Sequence, residues 1–476
     1  MPHRLISLLA ACPLCLAATA GLTRQADASS GTFNVLTINV GGIATSPIPD
    51  LDGHDKTRDA EYIGKKISEY AYSIVNVQED FNYHKTIYEY DTHPFRTATS
   101  GGSLIGSGLN TLSNYDWASF SRVSWDQCGN GLADDCMIKR GFTLMRARIA
   151  EGVCIDLINF RTSSGVPNDL VTRQANIKQL ADFINVNSAG NAVIVFGDTR
   201  TSYTRSRDNV TLFTTQNGLT DAWWQITKGD SPTAGTRVME CPEGIPDNIN
   251  CEVGEKVFYR GSRVLNLNST EFFYDTSRFL SPKEELLTDS NPVRVEFTYT
   301  LKDELRQSSL HGGSHGTWFN DLTSIPSNSA LLFIILRGAN RLDSITFAHT
   351  SGQVFTHGGS GGKRHSLYMA ASDEYLVSAI LCWGKKDEHT RIFYAQVITN
   401  KGNTVQAGKK TNDCVIINAP SGYSMVGTYG QAGAEVDQLG FIYARTVSLY
   451  NQLKCRVSLT LSGPIVCGYH QQKRLT

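Results

Sequence analysis

The sequence predicts an α/β domain followed by an all-β domain. Up to about residue 300, short segments with the two-residue alternation of strands lie among longer segments with helical spacing. From Ser308 on, helical spacing is no longer found, and short alternating segments follow one another with glycine-rich turns. The 476 residues suffice for two domains with a complete core each.

The elements of the first domain follow from apolar spacing. Two segments carry one apolar face at helical spacing, with Ile63 and Ile67 in the first and Ile177 and Leu180 in the second. A glycine- and serine-rich stretch, 100–113, predicts a long loop, and a later loop carries a Trp-Trp pair. The predicted helices are 56–72 and 168–185, and the predicted strands are 32–40, 73–78, 142–148, 154–160, 192–196, 256–259 and the end of 287–299.

Charge and the N-terminal sequence limit the function classes. The net charge is −1 and the pI about 6.8, so nucleic acid could be bound only by a local basic patch. His3 and Arg4 precede an apolar segment, 5–18, and Ala18-Thr19-Ala20 fits a signal cleavage site. The apolar segment is shorter than the roughly 20 residues of a membrane span. We therefore expect residues 1–20 to be a signal peptide, and the protein to be secreted without stable membrane insertion.

Cysteine spacing predicts disulfides in an oxidising compartment. Nine cysteines remain after the signal segment, and their spacing is not that of a zinc site. A fourth pair would leave Cys154 free within an apolar strand. The candidate pairs are Cys128 with Cys136, Cys241 with Cys251, Cys455 with Cys467, and Cys382 with Cys414. Asn209 and Asn268 begin N-glycosylation sequons.

Four oxygen-bearing side chains fall near the ends of predicted strands in the first domain. They are Asn39, Glu79, Asp198 and Asp289. Asp198 directly follows the apolar segment 192–196 and a glycine, which places it where a layered α/β fold forms a cleft. Such side chains could together hold a hard cation such as Mg²⁺. The alternative for Glu79 is a solvated strand end.

The blocks around these residues resemble the endonuclease/exonuclease/phosphatase superfamily. The resemblance covers about residues 33–298 and includes LTINVGG from Leu36, VNVQEDF from Val75, NFRTSSG from Asn159, FGDTRTSYTR from Phe196, KVFYR from Lys256 and TDSNPV from Thr288. It implies a DNase I-like α/β four-layer sandwich over residues 31–300. It also implies that Asn39 and Glu79 are Mg²⁺-site residues, that Asp198 orients the attacking water, and that Asp289 is the Asp of the Ser-Asp-His motif.

Three positions depart from the pattern that this family implies. Arg161 replaces the catalytic His, Arg200 replaces the phosphate-stabilising Asn, and Ser290 replaces the second His. Where relatives have Asp before the KIFYR strand, this chain has Glu255. Arginine cannot act as a base near pH 7, and serine needs another group to activate it. Because these groups are replaced, we expect the first domain to be catalytically degenerate. Both arginines could still bind a phosphoester. The alternative is substitution in space by His84 or His93.

The second domain resembles the jacalin-related lectins over residues 308–445. The resemblance rests on His311-Gly312-Gly313 and on the loop Gly433-Ala434-Glu435-Val436-Asp437. It implies an all-β prism that binds mannose- or galactose-type glycans without a metal. In such a site Asp437 accepts two sugar hydroxyls, Ala434 and Glu435 donate backbone N–H groups, and the two glycines of the first loop allow close approach. The alternative is that Asp437 only closes a turn.

The sequence leaves three functional hypotheses. A polar stretch, 301–307, is the predicted linker, and 446–476 is a C-terminal tail that either forms a hairpin or crosses to the first domain. The preferred hypothesis is a secreted glycan-binding protein with a degenerate first domain. The second is an active Mg²⁺-dependent phosphodiesterase that the lectin domain delivers to glycosylated surfaces. The third is an extracellular structural module in which neither site works.

Overall fold

A computed structural model describes residues 29–42, 56–99, 106–128, 140–163, 170–229, 232–233, 235–326 and 330–446. The predicted signal segment, Cys136, Cys455, Cys467 and the tail beyond Thr446 lie outside these residues. Among the described helices, none is long and apolar enough to span a bilayer.

The first domain contains helices and strands in alternation. Its helices are α1 (Lys56–Glu69), α2 (His84–Tyr90), α3 (Leu170–Asn187), α4 (Leu212–Thr215) and α5 (Ala222–Thr227). Its strands are β1 (Ser30–Asn39), β2 (Ile74–Gln78), β3 (Phe95–Arg96), β4 (Leu109–Ser113), β5 (Trp117–Ser124), β6 (Gly141–Ala150), β7 (Val153–Phe160), β8 (Ala192–Asp198), β9 (Thr220–Asp221), β10 (Glu255–Arg260), β11 (Leu265–Tyr274) and β12 (Val293–Leu301).

These strands form two six-stranded sheets, in the orders β11-β12-β1-β2-β4-β3 and β5-β6-β7-β8-β10-β9. In each sheet one central pair is parallel, β1 with β2 and β7 with β8, so the carboxyl ends of the paired strands lie side by side. Buried amides connect the two sheets. Asn76 donates to the carbonyl of Phe196 at 3.0 Å, and Asn159 donates to that of Val77 at 3.0 Å. These bonds bring the ends of both parallel pairs to one cleft.

Two details of the first domain differ from the sequence prediction. Part of the predicted loop 100–113 is strand β4, which pairs with β2 and is buried. The Trp223-Trp224 pair lies in α5 and not in a loop, because the side chain of Asp221 accepts a hydrogen bond from the backbone N–H of Trp224 and caps the helix.

The second domain is all-β in its described residues apart from a short 3-10 turn, Asp321–Thr323. Its sheets have nine strands and four strands. Apolar residues facing inward from both sheets, such as Ile334, Leu381 and Phe441, form a core of its own. The strands are β13 (Leu305–Gln307), β14 (His311–Gly312), β15 (Thr317–Asn320), β16 (Leu331–Gly338), β17 (Leu342–His349), β18 (Val354–Gly358), β19 (Lys363–Tyr368), β20 (Leu376–Lys386), β21 (His389–Thr399), β22 (Thr404–Gly408), β23 (Asp413–Asn418), β24 (Tyr423–Ala432) and β25 (Val436–Arg445).

The predicted linker 301–307 runs from the end of β12 into β13. Leu301 ends β12 and is buried, and β13 begins four residues later and pairs with β25. The adjoining interface is well packed. The indole N–H of Trp318 donates to the carbonyl of Ala189 at 3.2 Å. The guanidinium of Arg146 lies 3.5 Å from the centre of the Trp318 ring. One apolar core includes residues of both domains, so their relative orientation is fixed by packing.

The cysteine predictions are confirmed where the structure describes both partners. Cys241 is bonded to Cys251, and Cys382 to Cys414. Cys128 is also disulfide-bonded, and Cys154 is free as expected. Of the two sequon asparagines, Asn268 is exposed, whereas Asn209 is half-buried and donates its side-chain amide to Gln174 at 2.9 Å. The pairing of Cys455 with Cys467 stays a prediction.

Candidate functional site

The cleft of the first domain brings together most of the predicted site residues. Asn39 ends β1, and Glu79 directly follows β2 in the same sheet. In the other sheet Arg161 follows β7 and bridges to Asp198 at the end of β8, and Asp198 lies opposite Glu255 of β10. The spatial cluster predicted from strand ends is therefore present, with an arginine at its centre.

Arg161 lies between the two carboxylates of the cleft. Its Nη2 is 2.9 Å from Glu79 Oε1, and its Nε is 3.5 Å from Asp198 Oδ2. Arg140 adds a second cation, with Nη2 at 3.7 Å from the same oxygen of Glu79. Arg161 is only 5% exposed, so these charges face each other with little screening by water.

Asp198 is the most heavily bonded group of the cleft. Asn39 donates to its Oδ2 at 2.9 Å, and Arg200 approaches the same oxygen through Nε at 2.8 Å. The backbone N–H of Arg200 donates to the other oxygen at 3.1 Å. Burial opposes ionisation, but the charges of Arg200 and Arg161 outweigh it and hold the pKa of Asp198 below its ordinary value. Asp198 is therefore an anion that its own neighbours already neutralise.

Burial disfavours the charged form of two further groups of the cleft, so it shifts their pKa values in opposite directions. It lowers the pKa of Arg161 to about 10, which still leaves the guanidinium charged at neutral pH and unable to act as a base. Burial, and next the charge of Asp198, raise the pKa of Glu255 to about 8. Glu255 is thus mostly protonated at pH 7 and adds little negative charge.

The backbone is strained at two positions of the cleft. Glu79 has φ 57° and Arg200 has φ 50°, in the left-handed region that residues other than glycine rarely adopt. Each such residue costs on the order of 1–3 kcal/mol, so the surrounding contacts hold it in place. Both strained residues form ion pairs in this cluster, Glu79 with Arg161 and Arg200 with Asp198.

The loop that carries Asp289 and Ser290 closes one side of the cleft. Ser290 Oγ donates to the backbone carbonyl of Asn39 at 3.0 Å, and the hydroxyl of Thr288 donates to the same oxygen. Asp289 is exposed and lines a cavity of about 300 Å³ together with Arg200 and Arg205. This loop therefore borders a solvent-accessible cavity beside the buried Arg161 cluster.

The residues of the cleft do not fit a bound Mg²⁺ in this arrangement. The position between Glu79 and Asp198, where a cation would take carboxylate oxygens, is occupied by the guanidinium of Arg161. In the part of the chain that the structure describes, no group of three or more His, Cys, Asp or Glu side chains is placed to hold a metal. Glu79 and Asn39 thus contact protein partners and not a shared open site.

The predicted sugar loops of the second domain also meet in space. The backbone N–H of Gly313 donates to the carbonyl of Asp437 at 2.9 Å, and β14 pairs with β25 next to it. Asp437, however, is 1% exposed, and its Oδ1 is bonded to Nη1 of Arg391. Arg341 binds Glu435 through two hydrogen bonds, at 2.7 and 2.5 Å. Gly433 and Ala434 are exposed.

Comparison with known families accounts for both halves of the chain. Residues 54–233 match the model of the Endonuclease/Exonuclease/phosphatase family 2, and residues 308–442 match the Jacalin-like lectin domain. The chain joins a nuclease/phosphatase-family domain to a jacalin-like lectin domain. These two matches confirm the family resemblances predicted from the sequence.

Relatives and solved structures resemble one domain or the other. Sphingomyelinases of Mycobacterium bovis and Mycobacterium tuberculosis are 34% identical over 284 residues, 57% of this chain. The chain spans about half their length, 54%. A truncated Caenorhabditis elegans TDP2 shares 14% identity over 56% of this chain and 98% of its own, with a TM-score of 0.38. A mannose-binding jacalin-related lectin from Ananas comosus shares 23% identity over 30% of this chain and 99% of its own, with a TM-score of 0.27.

Two histidines were the alternative source of the base that the family pattern implies. His93 is buried, with one ring nitrogen 2.6 Å from Asp91 and the other 2.7 Å from the carbonyl of Tyr72. His84 has Nδ1 2.6 Å from the carbonyl of Phe81. Both are held by local structural contacts, so the structure gives no support to that alternative.

Four arginines of the two candidate sites were missed in the sequence analysis. In the nuclease/phosphatase domain these are Arg140, just before β6, and Arg205, the last residue of the FGDTRTSYTR block. In the lectin domain they are Arg341 and Arg391, which lie far from the sugar loops in the sequence. The excess of arginine over lysine in the FGDTRTSYTR block is the one signal that could have indicated Arg205.

Proposed function

We propose that this chain is a secreted glycan-binding protein whose nuclease/phosphatase-fold domain binds phosphoesters but does not hydrolyse them with Mg²⁺. Binding of a glycan is assigned to the lectin domain. Binding of a phosphoester is assigned to the cavity beside Asp198, where Arg200 and Arg205 are partly exposed. The disulfides Cys241–Cys251 and Cys382–Cys414 are compatible with an extracellular location.

The position of Arg161 is the observation that carries this proposal. Its guanidinium supplies a built-in cation between Glu79 and Asp198, so the carboxylates are neutralised without a metal. A divalent ion brought within about 4 Å of that charge would be repelled by several kcal/mol at an effective dielectric of about 20. Arg161 also cannot accept a proton from water at neutral pH, so the cleft lacks a base where this fold implies one.

The arrangement of sheets supports the corresponding architectures. We infer that the two six-stranded sheets pack face to face with helices outside, as a four-layer sandwich, since side chains of one sheet bond the backbone of the other. For the lectin domain we infer a β-prism, in which the nine-stranded and four-stranded sheets enclose one core. Both cleft and sugar loops then lie on rigid elements.

Hydrolysis assays test the proposal. The purified protein is incubated with Mg²⁺ and DNA, RNA, bis-p-nitrophenyl phosphate or sphingomyelin, beside the variant Glu79→Ala. We expect both proteins to give the same background rate. The triple variant Arg161→His, Arg200→Asn, Ser290→His restores the groups that the family pattern implies, each worth roughly 10²- to 10⁴-fold. Wild-type turnover that Glu79→Ala abolishes contradicts the proposal, whereas activity in the triple variant alone supports it.

An active phosphodiesterase is the second candidate. It is favoured by the 34% identity to proteins named sphingomyelinases and by the convergence of Asn39, Glu79 and Asp198 in one cleft. In that case sphingomyelin is the substrate on which turnover would be found first. The same assay separates the two candidates, since only this one predicts Mg²⁺-dependent release of product by the wild-type protein.

A further inference from the structure

The carboxylate of Asp437 is covered on both sides. One oxygen is bonded to Arg391, and the other lies so close to Gly316 that an added Cβ there would be 2.4 Å away. With 1% of the residue exposed, Asp437 offers no free oxygen to a sugar hydroxyl in this arrangement. The expected role of Asp437 as an acceptor of two sugar hydroxyls stays a prediction, and it would require Asp437 to separate from Arg391.

The glycines of the first loop are used for packing against the protein. A Cβ at Gly312 would lie 2.2 Å from the carbonyl oxygen of Asp437, and one at Gly313 would lie 2.6 Å from that of Thr390. Gly312 also has φ 103°, which excludes most other residues. The lack of side chains thus allows the loop to contact β21 and β25, and it does not by itself open a space for a sugar ring.

Two cationic side chains at the loop are accessible to a ligand. The side chain of Arg391 is 23% exposed and that of Lys386 is 40% exposed. Glu435 is 13% exposed and is held by Arg341, with Lys386 at 3.5 Å and Arg391 at 3.6 Å, and the charges of Asp343 and Asp387 also act on Arg341. Gly433 and Ala434 are exposed at the tip, and a Cβ on Gly433 would meet nothing within 4 Å.

The two carboxylates of the loop, Asp437 and Glu435, are therefore both engaged by cationic side chains. A neutral sugar needs acceptors for its hydroxyl hydrogens, and both carboxylates are already bonded to guanidinium groups. A group that brings its own negative charge can instead accept from arginine and lysine, with the short, strong hydrogen bonds of charged pairs. We propose that the lectin loop binds saccharides that carry an anionic group, a carboxylate or a sulfate, through Arg391 and Lys386.

This inference rests on glycan binding as the function of the lectin domain. Calorimetry can test glycan binding and the preference for anionic sugars separately. The full chain is titrated with methyl α-mannoside, galactose, glucuronic acid and galactose 6-sulfate. We expect the acidic sugars to bind about tenfold more tightly than the neutral ones, and added NaCl to weaken that binding. Equal or tighter binding of the neutral sugars, lost in Asp437→Asn, overturns this inference and leaves glycan binding intact. No binding of any sugar overturns both.

Variants distinguish a direct contact between the Arg391 guanidinium and the ligand from an effect of the substitution on folding. Arg391→Gln should weaken the acidic sugars about tenfold, whereas Arg391→Lys should retain part of their affinity because it keeps the charge. Arg364→Gln, an exposed arginine on β19 in the four-stranded sheet, is the matched control and should change little. Asp437→Asn should preserve or strengthen binding of acidic sugars, since it releases Arg391. Loss of that binding in Asp437→Asn, or its retention in Arg391→Gln, contradicts the proposal.

Discussion

Both domains contain an ion pair between an arginine and a carboxylate that the sequence assigns to a binding site. The arginine comes from a different kind of position in each domain. In the nuclease/phosphatase domain, Arg161 stands at a motif position where the family pattern implies a histidine. In the lectin domain, Arg391 comes from β21, 46 residues before Asp437, and the sugar-loop motif itself is unchanged. The first arginine can be recognised in the sequence motif. The second can be recognised only in the structure, where β21 and β25 bring Arg391 next to Asp437.

The two pairs also differ in access to water. The side chain of Arg161 is 6% exposed and that of Arg391 is 23% exposed, although each lies within 4 Å of two carboxylates. A buried pair loses more when one partner is removed, because the remaining charge cannot be solvated. Arg161 is therefore expected to hold the structure of its cleft, while Arg391 remains available to a ligand.

Replacing Arg161 by alanine should have the largest effect on stability. The change leaves Glu79 and Asp198 facing each other with reduced compensation, and breaking such a buried pair costs about 3–5 kcal/mol. We expect a corresponding fall in the free energy of unfolding of the first domain, measured by urea denaturation.

The double variant Arg161→Ala, Glu79→Gln is the control for that measurement. It removes one of the carboxylates that the guanidinium neutralised, so it should recover a large part of the loss. A loss that stays the same in the double variant would show that Arg161 contributes by packing alone, and would remove the physical basis for a built-in cation.

Most of the fold could be predicted because the local patterns agree with the tertiary structure. Strand β8 was expected from its continuous apolar sequence, and it is buried over its whole length. Helix α3 buries Ile177, Leu180, Ala181 and Ile184, which repeat at helical spacing. Strand β4 was missed because its sequence, LNTLS, is polar, and its burial depends on pairing with β2.

The site could be predicted only in part because sequence motifs identify groups and not their partners. Asn39, Glu79 and Asp198 were placed correctly at one cleft from their strand ends. The pairing of Arg391 with Asp437 depends on how β14, β21 and β25 pack, which no local pattern encodes. The interface through Trp318 was missed for the same reason, since Trp318 and its partner Ala189 are 129 residues apart in the sequence.

Replacing Arg391 by alanine should cost less than the change at Arg161. The variant leaves Asp437 buried beside a partly exposed gap, and an unpaired buried acceptor costs about 1–3 kcal/mol. Because water can reach the vacated position, we expect a value toward the lower end of that range. Urea denaturation of Arg391→Ala and of Arg391→Ala, Asp437→Asn checks this. A loss equal to that of Arg161→Ala would mean that the lectin pair is as structural as the cleft pair.

The smallest expected effect is a dependence of stability on pH at His311, where the two domains meet. Burial, and next the charge of Arg148 in the first domain, lower the pKa of His311 to about 4, and its ring stacks on Trp383 at 5.2 Å. The unfolded chain then binds a proton at higher pH than the folded one. The stability contributed by neutral His311 is complete above about pH 6.5 and is lost as the pH falls toward 4.

Thermal unfolding of the wild-type protein and of His311→Phe, which keeps an aromatic ring beside Trp383, tests this from pH 7 to pH 4. We expect the variant to gain a few degrees at most relative to the wild type as the pH falls, because His311 is only partly buried. Arg148→Gln should reduce the same dependence from the other side of the interface, since it removes one cause of the low pKa. A difference in melting temperature that stays constant over this range would show that the pKa of His311 is the same in the folded and unfolded states, and that Arg148 does not act across the interface.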